Sequence, residues 1–402
     1  MNSLLYFAAL GVGLFHLGQV AHSTESKLPL KRAVDAAWAK SVESRESAAS
    51  HLRASAAREV ASSFTPAPAA LEFSVLTDRW HGATGERETE FGVSLPLWHW
   101  GQRAGVANAA ASEQVLAKAS EDALRLRIAG EVREAAWQLV GADLDRTRAI
   151  GQEQTFKQLM SDIERRVRAG DLARADLLAA QAEWLEADAA VTIAGDAYDS
   201  AMQRWTLLTG LVVLPDASER QHEVGAVTHP DALRASAEAD LAARRVDVAR
   251  AARRDPLELA LSTRDERPGA GELARRSVVL ALRIPLGSAS RAAPIIANAL
   301  AERDVLQARA ALEQERLNLQ LALTKSQLEA AARRAASADQ RALALRERSR
   351  LIDLSFKAGE SPLPELLRAL TLASQAEAAG MRAEIELGLA RARLNQSLGV
   401  LP

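Results

Sequence analysis

The spacing of hydrophobic residues along this chain changes several times, and the changes come in the same order twice. From residue 29 to 62, apolar or small positions at Ala33, Ala37, Val42, Ala48, Leu52 and Val60 predict a single amphipathic helix, closed by Pro66 and Pro68. The period then drops to two. Leu71-Glu72-Phe73-Ser74-Val75 and Glu90-Phe91-Gly92-Val93-Ser94-Leu95-Pro96-Leu97 alternate apolar with polar or small residues, as strands with one greasy and one wet face do. Residues 102 to about 168 return to helix-forming Ala, Leu, Arg and Glu without a proline. Val106, Val115, Leu116, Ala119, Leu124, Ile128, Val132, Ala136 and Leu139 recur at mixed three- and four-residue steps, a stripe suited to coiled-coil packing. Gly170 ends this helix, and a shorter one returns over about 172–208.

The second half repeats the order. Leu257-Glu258-Leu259-Ala260-Leu261 and then Val278, Leu280, Leu282, Ile284 and Leu286 predict a second hairpin. A helix over 291 to about 357, with Pro294 in its first turn, runs to Gly359, and another returns over about 363–398. Pro96 and Pro285, Gly170 and Gly359, and Gly210 and Gly399 are each 189 positions apart (285 − 96, 359 − 170, 399 − 210). A register held this long marks a duplicated unit whose element lengths are mechanically constrained. The chain therefore divides into a first repeat over 24–215, a connecting segment over 216–230 and a second repeat from 231 to 402. At about 1.5 Å per residue the long helices reach about 100 Å, too long for a compact domain.

Composition narrows the class. Aromatic residues are only 4% of the 402, and 50 basic against 52 acidic residues leave a net charge of −2, so bulk charge calls for no nucleic-acid partner. There is no cysteine, which excludes disulfides and thiolate chemistry. Residues 4 to 17 are largely apolar and Ala21 and Ser23 suit cleavage, so residues 1–23 are expected to be an export signal. The segment before them has no Lys or Arg, and a short membrane anchor is the other reading. No Ser/His/Asp grouping, phosphate-binding glycine loop or ligand-spaced histidine set stands out, so no enzyme, cofactor or metal site is expected. His16, His22, His51, His81, His99, His222 and His229 are scattered.

Taken together, the doubled hairpins, long helices and glycine tips resemble the TolC family of outer-membrane efflux channels. The most specific pieces are Gly92 to Leu97 with Trp98, Trp100 and Gly101-Gln102-Arg103, and the tips Val167-Arg168-Ala169-Gly170-Asp171 and Phe356-Lys357-Ala358-Gly359-Glu360. In overall shape the chain is most similar to the heavy-metal, CzcC-like branch. The resemblance implies a mainly α fold with four strands per protomer, a homotrimer sharing one 12-stranded β-barrel in outer-membrane lipid, and an α-helical tunnel in the periplasm. It implies a passive duct for substrates, metal cations first, delivered by an inner-membrane pump of the RND type through a periplasmic adaptor. Phe91, Val93, Leu95, Leu97, Leu280, Leu282, Ile284 and Leu286 would face lipid, while Glu90, Gly92, Ser94 and Arg283 would face the lumen. Trp80, Trp98 and Trp100 would either mark the membrane interface or pack under loops.

The tips are where the resemblance places the gate. Asp176 and Glu365 stand six residues after the two glycines and would form rings of carboxylate in a trimer, attracting cations. Asp171 and Glu360 follow the glycines directly. All four acids have a plainer reading as favourable charges at a helix N-terminus. Arg168 and Lys357 could tether neighbouring carboxylates in a closed state. Ser361 and Phe356 stand where better-studied members have arginine and tyrosine, so their gate bonds do not transfer. Ducts for drugs or secreted polypeptides, and a periplasmic coiled-coil scaffold, are the alternative readings.

Overall fold

A computed structural model of the chain describes residues 28–78, 84–223, 225, 228–286 and 289–402. The expected export signal, with His16 and His22, lies outside the described residues, as do Trp80 and His81. In chain order the elements are β1 (Leu28–Pro29), α1 (Leu30–Lys40), α2 (Val42–Ser62), β2 (Ala70–Thr77), β3 (Arg87–Leu97), α3 (Gln102–Ala169), α4 (Arg174–Thr209), β4 (Pro215–Asp216), α5 (Pro230–Ala251), β5 (Leu257–Arg267), β6 (Arg275–Arg283), α6 (Ala289–Lys357) and α7 (Leu363–Ser397).

Two helical hairpins carry most of the mass. α3 and α6 have 68 and 69 residues, about 100 Å each, and α4 and α7 fold back along them. Buried positions recur every seven residues: Ala335, Ala342, Ser349 and Phe356 on α6, Ala149, Phe156 and Ile163 on α3, and Ala373, Gly380, Leu387 and Leu394 on α7. Seven-residue spacing is the signature of left-handed coiled-coil packing, and alanine at the seam lets the helices approach closely. α3 also touches α7, α5 wedges between α3 and α6, and α2 lies on α3.

Four strands form one antiparallel sheet in the order β2-β3-β5-β6, with β2 and β6 at its free edges. A separate parallel pair, β1 with β4, sits at the waist of the molecule. The waist core gathers Leu30, Val34, Ile128, Val132, Leu139 and a fully buried Trp205, whose indole N–H donates to the Val213 carbonyl at 3.2 Å. A second core lies at the far end of the hairpins, around Phe156, Ile163, Phe356, Leu363 and Leu366.

Several expectations need correction. The single helix over 29–62 is two helices, because Ser41 breaks it: its hydroxyl accepts the Ser44 N–H at 3.1 Å and caps α2. β6 stops at Arg283, so Ile284 and Leu286 lie beyond the strand. The last β5–β6 pair is Glu258 with Arg283, one residue from the start of β5 at Leu257, and Pro285 just beyond has no N–H to donate. Pro96 is accommodated in β3 because it lies past the last β2 pair, Ala70 with Ser94, where β3 has one neighbour only. α6 starts at Ala289, which puts Pro294 in its second turn. On α3, Val115 is 62% exposed, and Ala117, Ala123, Leu126 and Arg133 occupy the seam instead.

Candidate functional site

The two tips are built alike. Gly170 and Gly359 take φ of 87° and 82°, a left-handed conformation that glycine adopts without strain. At the first tip the Gly170 N–H donates to Val167 O (3.1 Å) and the Asp171 N–H to Arg166 O (2.9 Å). At the second, Gly359 donates to Phe356 O (3.1 Å) and Glu360 to Ser355 O (2.9 Å). These are Schellman closures, which satisfy carbonyls a helix end would leave open. Both are displaced by the same 189 residues.

Around this frame the expected gate residues spread out. Asp171 and Glu360 are exposed at the turns, and Glu365 is exposed in the first turn of α7. Asp176 is partly buried in the first turn of α4, where its carboxylate accepts the Ala173 N–H at 3.1 Å, so it works as a helix cap within its own chain. Arg168 pairs with Glu164 at 3.9 Å and Lys357 with Asp353 at 2.6 Å. Within one chain these two cations thus bind acids one turn earlier on their own helices. The groups that bring the two tips together are apolar: Phe356 is buried between the hairpins, with the Arg166 guanidinium 5.1 Å from its ring centre. The Ser355 and Ser361 hydroxyls bond across the second turn at 2.7 Å. In the sequence Phe356 stands out as the start of the second tip and as a departure from the family pattern; its heptad spacing from Ser349 and Ala342 is the signal that marks it as core.

The sheet has two chemically distinct faces. Directly paired residues in an antiparallel ladder share a face. Rows Leu71-Val93-Leu261-Leu280 and Leu95-Leu259-Leu282 are wholly apolar, and row Phe73-Phe91-Thr263-Val278 continues them. The opposite face carries Glu72-Gly92-Ser262-Val279 and Ser74-Glu90-Arg264-Ser277, with Glu258-Arg283 beyond, so it is polar apart from Val279. On that face Arg264 donates to Glu90 at 3.1 Å and stands 2.8 Å from Glu88, while the Ser262 hydroxyl donates to Glu90 at 2.5 Å. Phe91, Val93, Leu95, Leu280 and Leu282 all lie on the apolar face, and Phe91, Leu280 and Leu282 are more than half exposed. Ile284, past the strand, is exposed as well. At the end of β3, the Trp98 indole donates to Ser63 O at 3.2 Å under the 62–65 segment, whereas Trp100 is fully exposed.

A third cluster was not anticipated. Arg133, 2% exposed, lies in the middle of α3, where its guanidinium makes a two-pronged bond to Glu219 (2.9 and 2.8 Å) and reaches Gln396 Oε1 (2.5 Å) and Val400 O (2.9 Å). Asn395 adds a bond to Arg220 O at 2.8 Å and accepts the His222 N–H at 3.1 Å. One buried cation thereby ties α3, the 216–223 segment and the end of the chain together. It sits seven residues after Leu126 and fourteen after Ala119, on the buried seam, and a charge at such a position is the sequence signal for it. Among the described residues no group of three or more His, Cys, Asp or Glu could hold a metal ion. His51, His99 and His229 engage Glu121, Asp255 O and the Asp231 N–H through their rings, while the bond from His222 to Asn395 is made by its backbone N–H.

No family model matches the sequence, and no curated protein matches it. Solved structures do match. CusC, studied for its folding and transmembrane channel formation, superposes with a TM-score of 0.76 over 92% of each chain at 14% identity. The chain has the fold of an outer-membrane channel. The outer-membrane protein VceC of Vibrio cholerae gives 0.74 at 17% identity, covering 92% of this chain and 96% of that one. The outer-membrane channel MtrE of Neisseria gonorrhoeae, in its open state, gives 0.72 at 17% identity over 92% and 89%. At such identities the fold is the shared property, and it unites tips, sheet and waist in one architecture.

Proposed function

We propose that this chain is the outer-membrane channel of a tripartite efflux system, a passive duct built by three copies, with metal cations as its cargo. The observation that carries this reading is a two-faced, open four-stranded sheet at one end of two hairpins about 100 Å long whose far ends carry matched tips. β3 and β5 have 11 residues each, the length a tilted membrane strand needs. The sheet's apolar face, with Phe91, Val93 and Leu95 of β3 and Leu280 and Leu282 of β6, turns to lipid together with Ile284 just past β6, and the Glu90–Arg264 face turns to the lumen. Lipid does not tolerate open strand edges, and four strands are too few to close a barrel; three copies supply 12. The helical part then stands in the periplasm. There the tips, with Arg168, Gly170, Asp171, Asp176, Lys357, Gly359, Glu360 and Glu365, meet an adaptor protein that links the duct to an RND-type inner-membrane pump.

Metal cations are proposed because four acids crowd the two turns and would be tripled in the assembly, where converging charge acts on whatever enters. The test is deletion of the gene and complementation with wild type or with Asp176→Ala/Glu365→Ala. Sensitivity to zinc, cobalt, cadmium, copper and a drug panel is scored, with outer-membrane fractionation and sizing in detergent. Deletion is expected to sensitise cells to at least one metal, and the double variant to restore resistance incompletely. Unchanged sensitivity to every metal would refute the cargo; a monomer, or a location outside the outer membrane, would refute the channel.

A further inference from the structure

The internal repeat contains the geometry of its own assembly, because a contact made inside the chain between repeats one and two has a counterpart between repeat two and the next copy's repeat one. The register of that counterpart is readable from the sheet. Ser94 pairs with Ala70 and Arg283 pairs with Glu258. Ser94 and Arg283 differ by 189 (283 − 94), but Ala70 and Glu258 differ by 188 (258 − 70). The same 188 relates the buried positions Ser47 and Ala54 of α2 to Ala235 and Ala242 of α5. β3 therefore corresponds to β6 with a shift of 189, and β5 to β2 with a shift of 188. The extra residue lies in the hairpin turn, since nine residues separate Thr77 from its partner Arg87 and ten separate the corresponding pair Asp265 and Arg276.

Inside the chain β3 pairs with β5 so that Val93 faces Leu261 and Ser94 faces Ala260. Carrying each strand to its counterpart, we propose that the free edge of β6 pairs antiparallel with β2 of a second copy, Leu282 opposite Phe73 and Ala281 opposite Ser74. This inference deepens the channel reading and rests on it. Three independent features agree with the register. Leu282, Leu280 and Ile284 meet Phe73, Val75 and Leu71, so the apolar face continues unbroken across the seam; a slip of one residue would turn each of them onto the wet face. Slips of two keep that parity but lose a charge match: only in this register does Arg283 stand directly opposite Glu72. Arg283 touches Glu258 of its own chain at 3.4 Å while its side chain stays 78% exposed at the edge, and among the described residues none pairs with Glu72. The seam would thus carry a Glu258–Arg283–Glu72 row on the lumen face. The helices agree too. Val248 of α5 lies against Gly105 of α3, and their counterparts, Val60 of α2 and Pro294 of α6, are both exposed in the single chain.

The chain has no cysteine, so paired substitutions read the register without background. Phe73→Cys/Leu282→Cys and Ser74→Cys/Ala281→Cys test the two neighbouring cross-strand pairs, one of which has the closer spacing that a disulfide prefers. Leu71→Cys/Leu282→Cys and Val75→Cys/Leu282→Cys report slips of two in either direction. Mild oxidation of the full-length channel in outer membranes, followed by non-reducing gels, is expected to give chain dimers and trimers with at least one registered pair and under one-tenth of that yield with the slipped pairs and single-cysteine variants. Cross-linking by a slipped pair in preference, or by none of the four while sizing in detergent still shows an oligomer, would overturn the register and leave the channel reading standing. A monomer in detergent would overturn both.

Discussion

Removing Glu219 should loosen the waist far more than the loss of a surface ion pair would. Its carboxylate accepts two of the four hydrogen bonds donated by the buried Arg133 guanidinium, and the Glu219 and Arg133 side chains are only 10% and 2% exposed. Glu219→Ala leaves a cation out of water with Gln396 and Val400 as its remaining acceptors, a change worth about 3–5 kcal/mol where a buried pair loses one partner. At about 1.4 kcal/mol per factor of ten, the open population of the 216–223 segment rises about a hundred- to several-thousand-fold. Arg220 is exposed in that segment and its carbonyl is held by Asn395, so tryptic cleavage there, mapped by mass spectrometry under conditions where opening is fast, reads the population directly. Arg133→Met/Glu219→Leu removes both charges and should recover most of the loss, because the Gln396 and Val400 oxygens it leaves without the guanidinium are neutral acceptors, which cost less than an unpaired buried cation. A change below about fivefold in Glu219→Ala, or a double variant as labile as the single, would refute the idea that this pair holds the waist.

Three further outcomes follow from local geometry. A Cβ at Gly388 would stand 2.0 Å from the Trp137 ring, so Gly388→Ala should destabilise the α3–α7 contact by about 1–3 kcal/mol, read as a lower melting temperature in detergent; no shift would mean the ring moves freely. Nothing lies within 4 Å of a Cβ at Gly170 or Gly359, so Gly→Ala at either should cost only its positive φ, about 1–2 kcal/mol, equally at both tips, as measured by proteolysis at the turns. Burial pushes the His229 pKa below the ordinary histidine value, with the nearby Asp231 carboxylate opposing, and its Nδ1 must stay unprotonated to accept the Asp231 N–H at 3.2 Å. Because the folded chain holds this proton less tightly than the unfolded one, the stabilisation is present above about pH 6.5 and is lost as pH falls through the lowered folded value. His229→Asn, a non-titrating cap, should flatten that part of the melting curve against pH, and an unchanged slope would assign it elsewhere.

Much of the architecture was legible because its signals are long. Two strand pairs with matched parity, two proline-poor helical stretches, one proline landmark and two glycine-marked ends repeat one another, and accidental agreement across all of them is hard to obtain. What escaped was set by tertiary partners. Ser41 splits a continuous apolar pattern through a single hydroxyl cap, which periodicity does not register. Val115 fits the stripe by type, yet alanines at 117 and 123 take the seam because close helix approach rewards small side chains. Arg133 is one of many charges on α3, and its role depends on Glu219, 86 residues away, and on Gln396 and Val400. At the first tip Asp176 spends its carboxylate on a cap, which its place three residues into a helix could have suggested.

The difference between shifts of 188 and 189 also says where the molecule tolerates change. A residue added inside a strand would invert its faces, and one added inside α3 or α6 would turn everything beyond it by about 100° and move the tip by about 1.5 Å. A residue added in the hairpin turn does neither, and that is where the two repeats differ. One glycine inserted after Gly271, an open turn position with φ of 97°, should therefore leave the melting temperature and the α6–α7 protection from protease unchanged. One alanine inserted after Ala331 should carry Ala335, Ala342, Ser349 and Phe356 off the α7 face together. At about 1 kcal/mol or more for each apolar contact vacated, with Phe356 at the top of that range, the tip half of the hairpin should open to protease while the sheet end stays closed. Equal tolerance of the two insertions would mean that the long helices can slide past one another, and the constant shift of 189 would then have no mechanical cause.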